Sequence, residues 1–477
     1  MSIVLIVNIS LRRRSGLLAL STALTLLTVL AGTTIHGEAA DGPRGVLPIN
    51  PYAGPVGTAT MHGDAGSSDT TPYAGPGANA PLPTTVPLGG VCPTILAGGD
   101  AMPQALCTGY LDRAPTLHLL DPRTTLPVAS LKLEKGSLLG GVYAYVDDRD
   151  RLVTVDGSGA ILLIAHDRGG PGGSWRLFVQ DRIPVTVTIT TVAPGYDGNI
   201  WFGTADGRGG YADPRTKQVR TTQLGTEPEI VANSISTAPE GTSVVTDRAT
   251  YLLTAGPRGR VRVEWRRGYD RGPARKPGQL SHGSGATPTF FGPRTGHEYV
   301  AITDNARPLE HLVVYRTDTG RTVCQAPIFG ADNSGTENST VGWRNQIYVA
   351  STYGYPYPAT PDGAGEADPA SADFVGGMQR FRVGPRGCQV VWTQGTRSAA
   401  VPRLSTGERV LYTVTRSKAQ VYRLARISPR TGAVLSETTL GVGPLADTLQ
   451  MVGTILPDGT LLQGSIGGLS SVRRAAP

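Results

Sequence analysis

The side chains best suited to chemistry lie between residues 233 and 403 of the 477-residue chain. Asn233, Asp304, Glu337 and Asn338 offer hard oxygen donors of the kind that hold Ca2+. His282 could act as base or acid beside Asp304 or Glu337, which makes these three the candidate catalytic set. Asn305, Tyr353, Tyr355 and Arg403 can hydrogen-bond to a bound molecule or pack on it. Each residue also has a plain structural reading, because Asn and Asp at loop ends cap their own backbone. His118, His166, His297 and His311 are scattered singly. No HExxH, P-loop, GxSxG or dinucleotide-binding glycine motif is present.

Those residues matter only if the chain brings them together, and a repeat does so. Turns recur near Gly99, Asp148, Asp197, Glu240, Arg294, Arg344, Gly407 and Asp458, at spacings of 49, 49, 43, 54, 50, 63 and 51. Each is followed by a run of β-branched and aromatic residues, as in YDGNIWFGTADG and RNQIYVAST. A second turn of the form DPRTG begins at Asp121, Asp213, Arg316 and Ser428, with worn copies at Gly256 and Gly384. Proline presets φ and glycine accepts positive φ, so each marks a hairpin. Two hairpins per unit of about 50 residues make a four-stranded antiparallel blade. The expected fold is an all-β propeller of eight blades over residues 91–477, with seven as the alternative. The last unit lacks an outer strand, and residues 81–88 could supply it.

Naming the strands a to d from the axis outward, the d–a connections and b–c loops share one face. Asn233, His282, Glu337 and Asn338 fall on d–a connections. Asp304, Asn305, Tyr353 and Tyr355 fall on b–c loops, and Arg403 falls on strand a of the seventh unit. The expectation is one polar rim over units four to seven.

The strand–DPRTG–strand pattern resembles the repeats of quinoprotein-type (PQQ-like) propellers. Stretches such as YDRGPARKPGQLSHGSGATPTFFG, AITDNARP, GTENSTVG, YGYPYP and ILPDGTLLQGSIGGL resemble a family of secreted actinobacterial propellers of uncharacterised activity. The resemblance implies a propeller outside the cell and carries no reaction with it. PQQ itself is not expected, since the adjacent cysteine pair common among quinoprotein dehydrogenases is missing.

The N-terminus reads as an export signal. Arg12–Arg14 precede an apolar run from Leu17 to Leu30, and small residues follow at Gly37, Ala39 and Ala40. A retained membrane anchor is the rival reading, although the run is short for a span. Residues 1–40 are therefore taken as a signal, with no membrane span once it is removed. Residues 41–90, rich in Gly, Pro, Ala and Thr, are expected to form a flexible tether. Without the signal the net charge falls from +7 to +5, too mild for a nucleic-acid partner. Export to an oxidising compartment suggests disulfides among the four cysteines, and the repeat places Cys92 beside Cys107 and Cys324 near Cys388. The functional expectation is a monomeric, secreted or envelope-associated scaffold that binds a small molecule or an envelope component. The alternatives are a Ca2+-type lyase, lactonase or isomerase, or a PQQ-like oxidoreductase, using the same rim.

Overall fold

A computed structural model describes residues 45–136 and 142–475. The signal reading of residues 1–40 lies outside the described residues. Eight four-stranded antiparallel sheets follow one another around a ring, and one of them gains a fifth, innermost strand. Blade 1 runs through Gly90–Ala97, Pro103–Gly109, Pro115–Leu120 and Pro127–Lys132. Blade 5 runs through Thr289–Phe291, Tyr299–Thr303, His311–Arg316 and Thr322–Pro327. Every a–b turn and every worn or intact DPRTG turn falls where the repeat puts it, between strands a and b or between c and d. No helix of the described residues is long and apolar enough to cross a membrane.

Burial follows the layering. Strands a to c of each blade are sandwiched between neighbouring blades, so both faces are apolar and covered, as in Leu152–Val155 and Ile200–Thr204. Val153, Ile161, Leu163, Ile189, Val192, Ile200 and Phe202 fill one such interblade layer. The outer d strands keep one face in solvent and mix exposed with half-buried positions, as in Val219–Gln223.

The ring closes as expected. Thr84–Val86 pairs antiparallel with Gly468–Val472 and supplies the missing outer strand of blade 8. Both disulfides are present. Cys92 and Cys107 join strands a and b of blade 1, and Cys324 and Cys388 join the d strands of blades 5 and 6, with Cα atoms 5.6 Å apart. They fit an oxidising environment.

The expected tether is corrected by the structure. Residues 45–71 enter the ring and plug its axis, and Ala59, Ser67, Asp69 and Thr71 are buried there. The plug follows the inner strands in order. Ala97 donates its backbone N–H to Thr58, Val146 to Ala59, Thr237 to Ala65, Phe290 to Gly66, Gly342 to Ser68 and Leu404 to Asp69, over 2.7–3.0 Å. Thr70–Thr71 then pairs in parallel with Arg403–Ser405 as the extra strand of blade 7. A composition too poor to form its own core is thus ordered by a core and by hydrogen-bond donors belonging to the rest of the chain. Small residues suit the narrow lumen. Gly63 has φ +85°, and a Cβ there would collide with the Thr70 carbonyl and the Arg403 guanidinium.

Gly63→Ala is therefore expected to cost more than Gly77→Ala. Gly77 shares positive φ, at +87°, but has nothing within 4 Å of a Cβ. The control should lose only the left-handed penalty of about 1–2 kcal/mol, and the plug variant should lose at least twice that; urea unfolding of the two variants measures the difference.

Candidate functional site

Plugging the axis turns a channel into a pocket. A cavity of about 440 Å3 opens on the face that carries the d–a and b–c loops. Met61 and His62 of the plug line it together with Val91 and Pro93 of blade 1 and Tyr143, which enters blade 2. Asn233, Leu280, Ser281, Glu337, Asn338, Val401 and Val452 continue the wall around the ring. Tyr357 to Pro361, from the long b–c loop of blade 6, overhang it. A second cavity of about 450 Å3 adjoins the first and shares Ala232, Asn233, Leu280, Ser281, Gly285 and Pro361 with it.

The expected site residues divide between these cavities and the scaffold. Asn233, Glu337 and Asn338 meet at the first cavity. The Asn233 side-chain oxygen accepts from the Tyr143 hydroxyl at 2.9 Å, and Asn338 donates its amide to Gln450 at 2.9 Å. Glu337 accepts from Leu280 N–H at 2.5 Å and from the Tyr357 hydroxyl at 3.3 Å. Burial pushes the Glu337 carboxyl up to about 7, against the pull of these hydrogen bonds and of the more distant Arg275. Tyr143 and Tyr357 face the same carboxylate, and burial raises both phenols above their ordinary value.

His282 lines the second cavity instead. Its Nδ1 takes a hydrogen bond from Arg271 at 2.9 Å and its Nε2 faces the Gly272 carbonyl at 3.0 Å. Arg271 is held in turn by Asp247 at 2.9 Å. Both ring nitrogens are therefore engaged within the loop, and no contact joins His282 to Glu337 or Asp304.

Asp304 does not reach either cavity. It is wholly buried. It accepts from the backbone of His311 and Ala306 at 2.7 and 3.2 Å, and it meets His311 Nδ1 and Gln325 Nε2 at 2.9 and 3.3 Å. Burial raises its carboxyl, opposed by the bonds from His311. Asn305 donates to the carbonyls of Arg271 and Ala274 and so ties two loops together. Tyr355 is buried edge-on to Phe374 with its hydroxyl on Asp447, and Tyr353 sits half-buried over Gly335. Arg403, 2% exposed, donates to the carbonyls of Met61 and Gly453 and anchors the plug.

The oxygen donors proposed for Ca2+ are consequently not assembled, because Asp304 is spent on the blade 5 loop, away from the cavity that Asn233, Glu337 and Asn338 line, and the Asn233 oxygen is taken by Tyr143. Among the described residues no group of three or more His, Cys, Asp or Glu side chains is arranged to hold a metal. The set does not fit a cation that takes six to eight oxygens.

Residues of the plug fall outside the expected rim, yet they form the floor. Asp69 holds His62 Nδ1 at 3.0 and 3.1 Å and accepts from the Ser339 hydroxyl at 2.5 Å. His62 Nε2 lies 3.5 Å from the Thr287 hydroxyl. The sequence signal was the run His62-Gly-Asp-Ala-Gly-Ser-Ser-Asp69, the one place in residues 45–90 where a histidine stands with carboxylates. Lys276 and Glu310, 3.3 Å apart and buried, stiffen the loop that carries Leu280 and Ser281.

No family model matches the chain, and comparison with curated proteins gives no match. Among solved structures it is similar to the computationally designed Ika8 protein, at 11% identity and a TM-score of 0.51, over 83% of this chain and 100% of that one. It is similar also to Chaetomium thermophilum Sqt1 bound to the N-terminus of ribosomal protein L10, at 12% identity and a TM-score of 0.50, over 84% and 100% of the two chains. These likenesses show the β-propeller fold.

Glu337→Gln is expected to stabilise the protein in neutral and alkaline buffer. Between its ordinary 4.5 and about 7, the unfolded chain releases a proton that the folded chain retains, so stability falls across that window. The variant carries no such penalty. Its advantage should be absent at pH 4, grow through pH 7 and level off above it at up to about 3 kcal/mol, as thermal unfolding at a series of pH values would show.

Proposed function

We propose that the protein is an exported binding scaffold that takes a small, largely apolar molecule into the axial cavity. The observation that carries this reading is the cavity itself. At about 440 Å3 it lies in the size range of small-molecule sites. Its wall is mainly carbon, from Val91, Pro93, Leu280, Val401, Met451 and Val452, with a few convergent polar groups at Tyr143, Glu337 and His62. Those polar groups are held in place by neutral partners and by Asp69, so little ordering remains when a ligand enters. The resemblance of the turns to quinoprotein repeats and the two disulfides support a place outside the cytoplasm. The Sqt1 structure, bound to the N-terminus of ribosomal protein L10, shows the same fold in a binding role.

A second reading has one observation in its favour. Asp69 holds His62 Nδ1, and Nε2 has only the Thr287 hydroxyl, at 3.5 Å, on a residue that lines the cavity with it, an arrangement a general base could use. On that reading a panel of p-nitrophenyl esters and lactones is turned over by the protein and not by His62→Ala.

The binding reading is tested with N-phenyl-1-naphthylamine, a neutral apolar fluorophore. Saturable enhancement at one molecule per chain is expected. Ala232→Trp, which fills the boundary between the two cavities, should abolish it without lowering the unfolding midpoint. Unchanged binding by that variant would remove the axial cavity as the site.

A further inference from the structure

The two faces of the propeller carry opposite charge. Among the described residues, the d–a connections and b–c loops around the cavity hold 17 Asp and Glu against 9 Lys and Arg, a net of −8. The a–b and c–d turns of the opposite face hold 12 against 14, a net of +2. The chain beyond residue 40 is net positive at +5, so the acidic face runs against the bulk charge. The plug adds Asp64 and Asp69 along the axis and no Lys or Arg.

Among the described residues, the one carboxylate on the cavity wall is Glu337; the one cation there, Arg113, stands exposed on the b–c loop of blade 1, and no ion pair joins the two. The hydrogen-bond partners of Glu337 are neutral, a backbone N–H and a phenol. Neighbouring ion pairs consume the nearby cations: Arg271 with Asp247, Lys276 with Glu310, and Arg307 with Asp368. Arg275 spends its guanidinium on the carbonyls of Gln279 and Gly365. A half-buried carboxylate with no cation on it, in a carbon-lined cavity, is stabilised most by a cation that arrives with the ligand. Beside it the Ser281 hydroxyl is buried without a hydrogen-bond partner. A low-dielectric cleft ringed with one sign of charge also concentrates the opposite sign at its mouth.

We infer that the axial cavity selects organic cations: molecules with an apolar body and an ammonium group that settles against Glu337. This rests on the axial cavity being a binding site and names the ligand class it takes. Neutral molecules of the same shape bind by burial alone, and anions are repelled twice, by the rim and by Glu337.

Three probes with one body separate the cases: decyltrimethylammonium, 1-decanol and decanoate, each used below its aggregation limit to displace N-phenyl-1-naphthylamine at pH 8. The cation is expected to displace at a concentration about tenfold below the alcohol, a difference of ~1.4 kcal/mol, and decanoate should displace least. In Glu337→Gln the cation's advantage should disappear while 1-decanol is unchanged. Equal potency of the three probes on the unaltered protein, or a preference for decanoate, would overturn the assignment whatever the variant does. Retained fluorophore binding in that event leaves the cavity reading standing, whereas failure of the fluorophore to bind at all ends both.

Discussion

The inward edge of eight short strands is the constraint on which the molecule depends. Within its own blade, strand a has a neighbour on one side only, and its other edge faces the axis. A ring this wide would leave that edge to water in an open bore. Here a chain segment of small residues supplies carbonyls to blade after blade, from Ala97 through Leu404. Each bond is worth about 1 kcal/mol net, and an inward group left without any partner would cost about 1–3. The same segment goes on to give blade 8 its outer strand, Thr84–Val86. One stretch of sequence thus satisfies the inner edge and then closes the ring at its outer edge.

Anchoring of the plug explains why Arg403 is buried. Its guanidinium holds the Met61 carbonyl, with Asp64 and Asp69 nearby to offset the loss of water, although burial still depresses it. The floor residues are fixed by the same contacts. His62 is placed by Asp69, and Asp69 by Ser339 and by the pairing of its backbone with blade 7. Cavity geometry and ring stability are therefore coupled through residues 61–71, and a change that loosens the plug also loosens the floor.

The blades were legible because their signals are local. A turn, a β-branched run and a DPRTG hairpin repeat at about 50 residues, so strand order and the cysteine partners follow from counting. The side-chain directions at the rim were less so. Asp304 was placed on the correct b–c loop, but nothing in AITDNARP tells whether its carboxylate faces the axis or folds back on His311. The plug was misread for a different reason. An entropy argument weighs the burial a segment can achieve by itself, and residues 45–71 are ordered by partners up to 342 positions away, as at Met61 and Arg403. Long-range pairs of this kind, including His62 with Ser339, leave no periodic trace.

A blind axis alters what the acidic face can do. In an open bore, charge at one mouth would be balanced by solvent entering from the other, and a ligand could pass through. With Asp64–Asp69 buried or half-buried behind Met61 and His62, the axis is filled beneath the cavity, and the polar groups on its wall share one small volume. The plug brings no Lys or Arg to Glu337 from below, so beyond its burial, its two hydrogen bonds and the distant Arg275 a counter-ion reaches it from the loop face. The overhang from Tyr357 to Pro361 narrows the mouth and donates the phenol on Glu337. A ligand drawn to the carboxylate shares this cavity with the carbon wall of Val91, Leu280 and Val452, so the plug that floors the cavity sets charge recognition and apolar burial side by side.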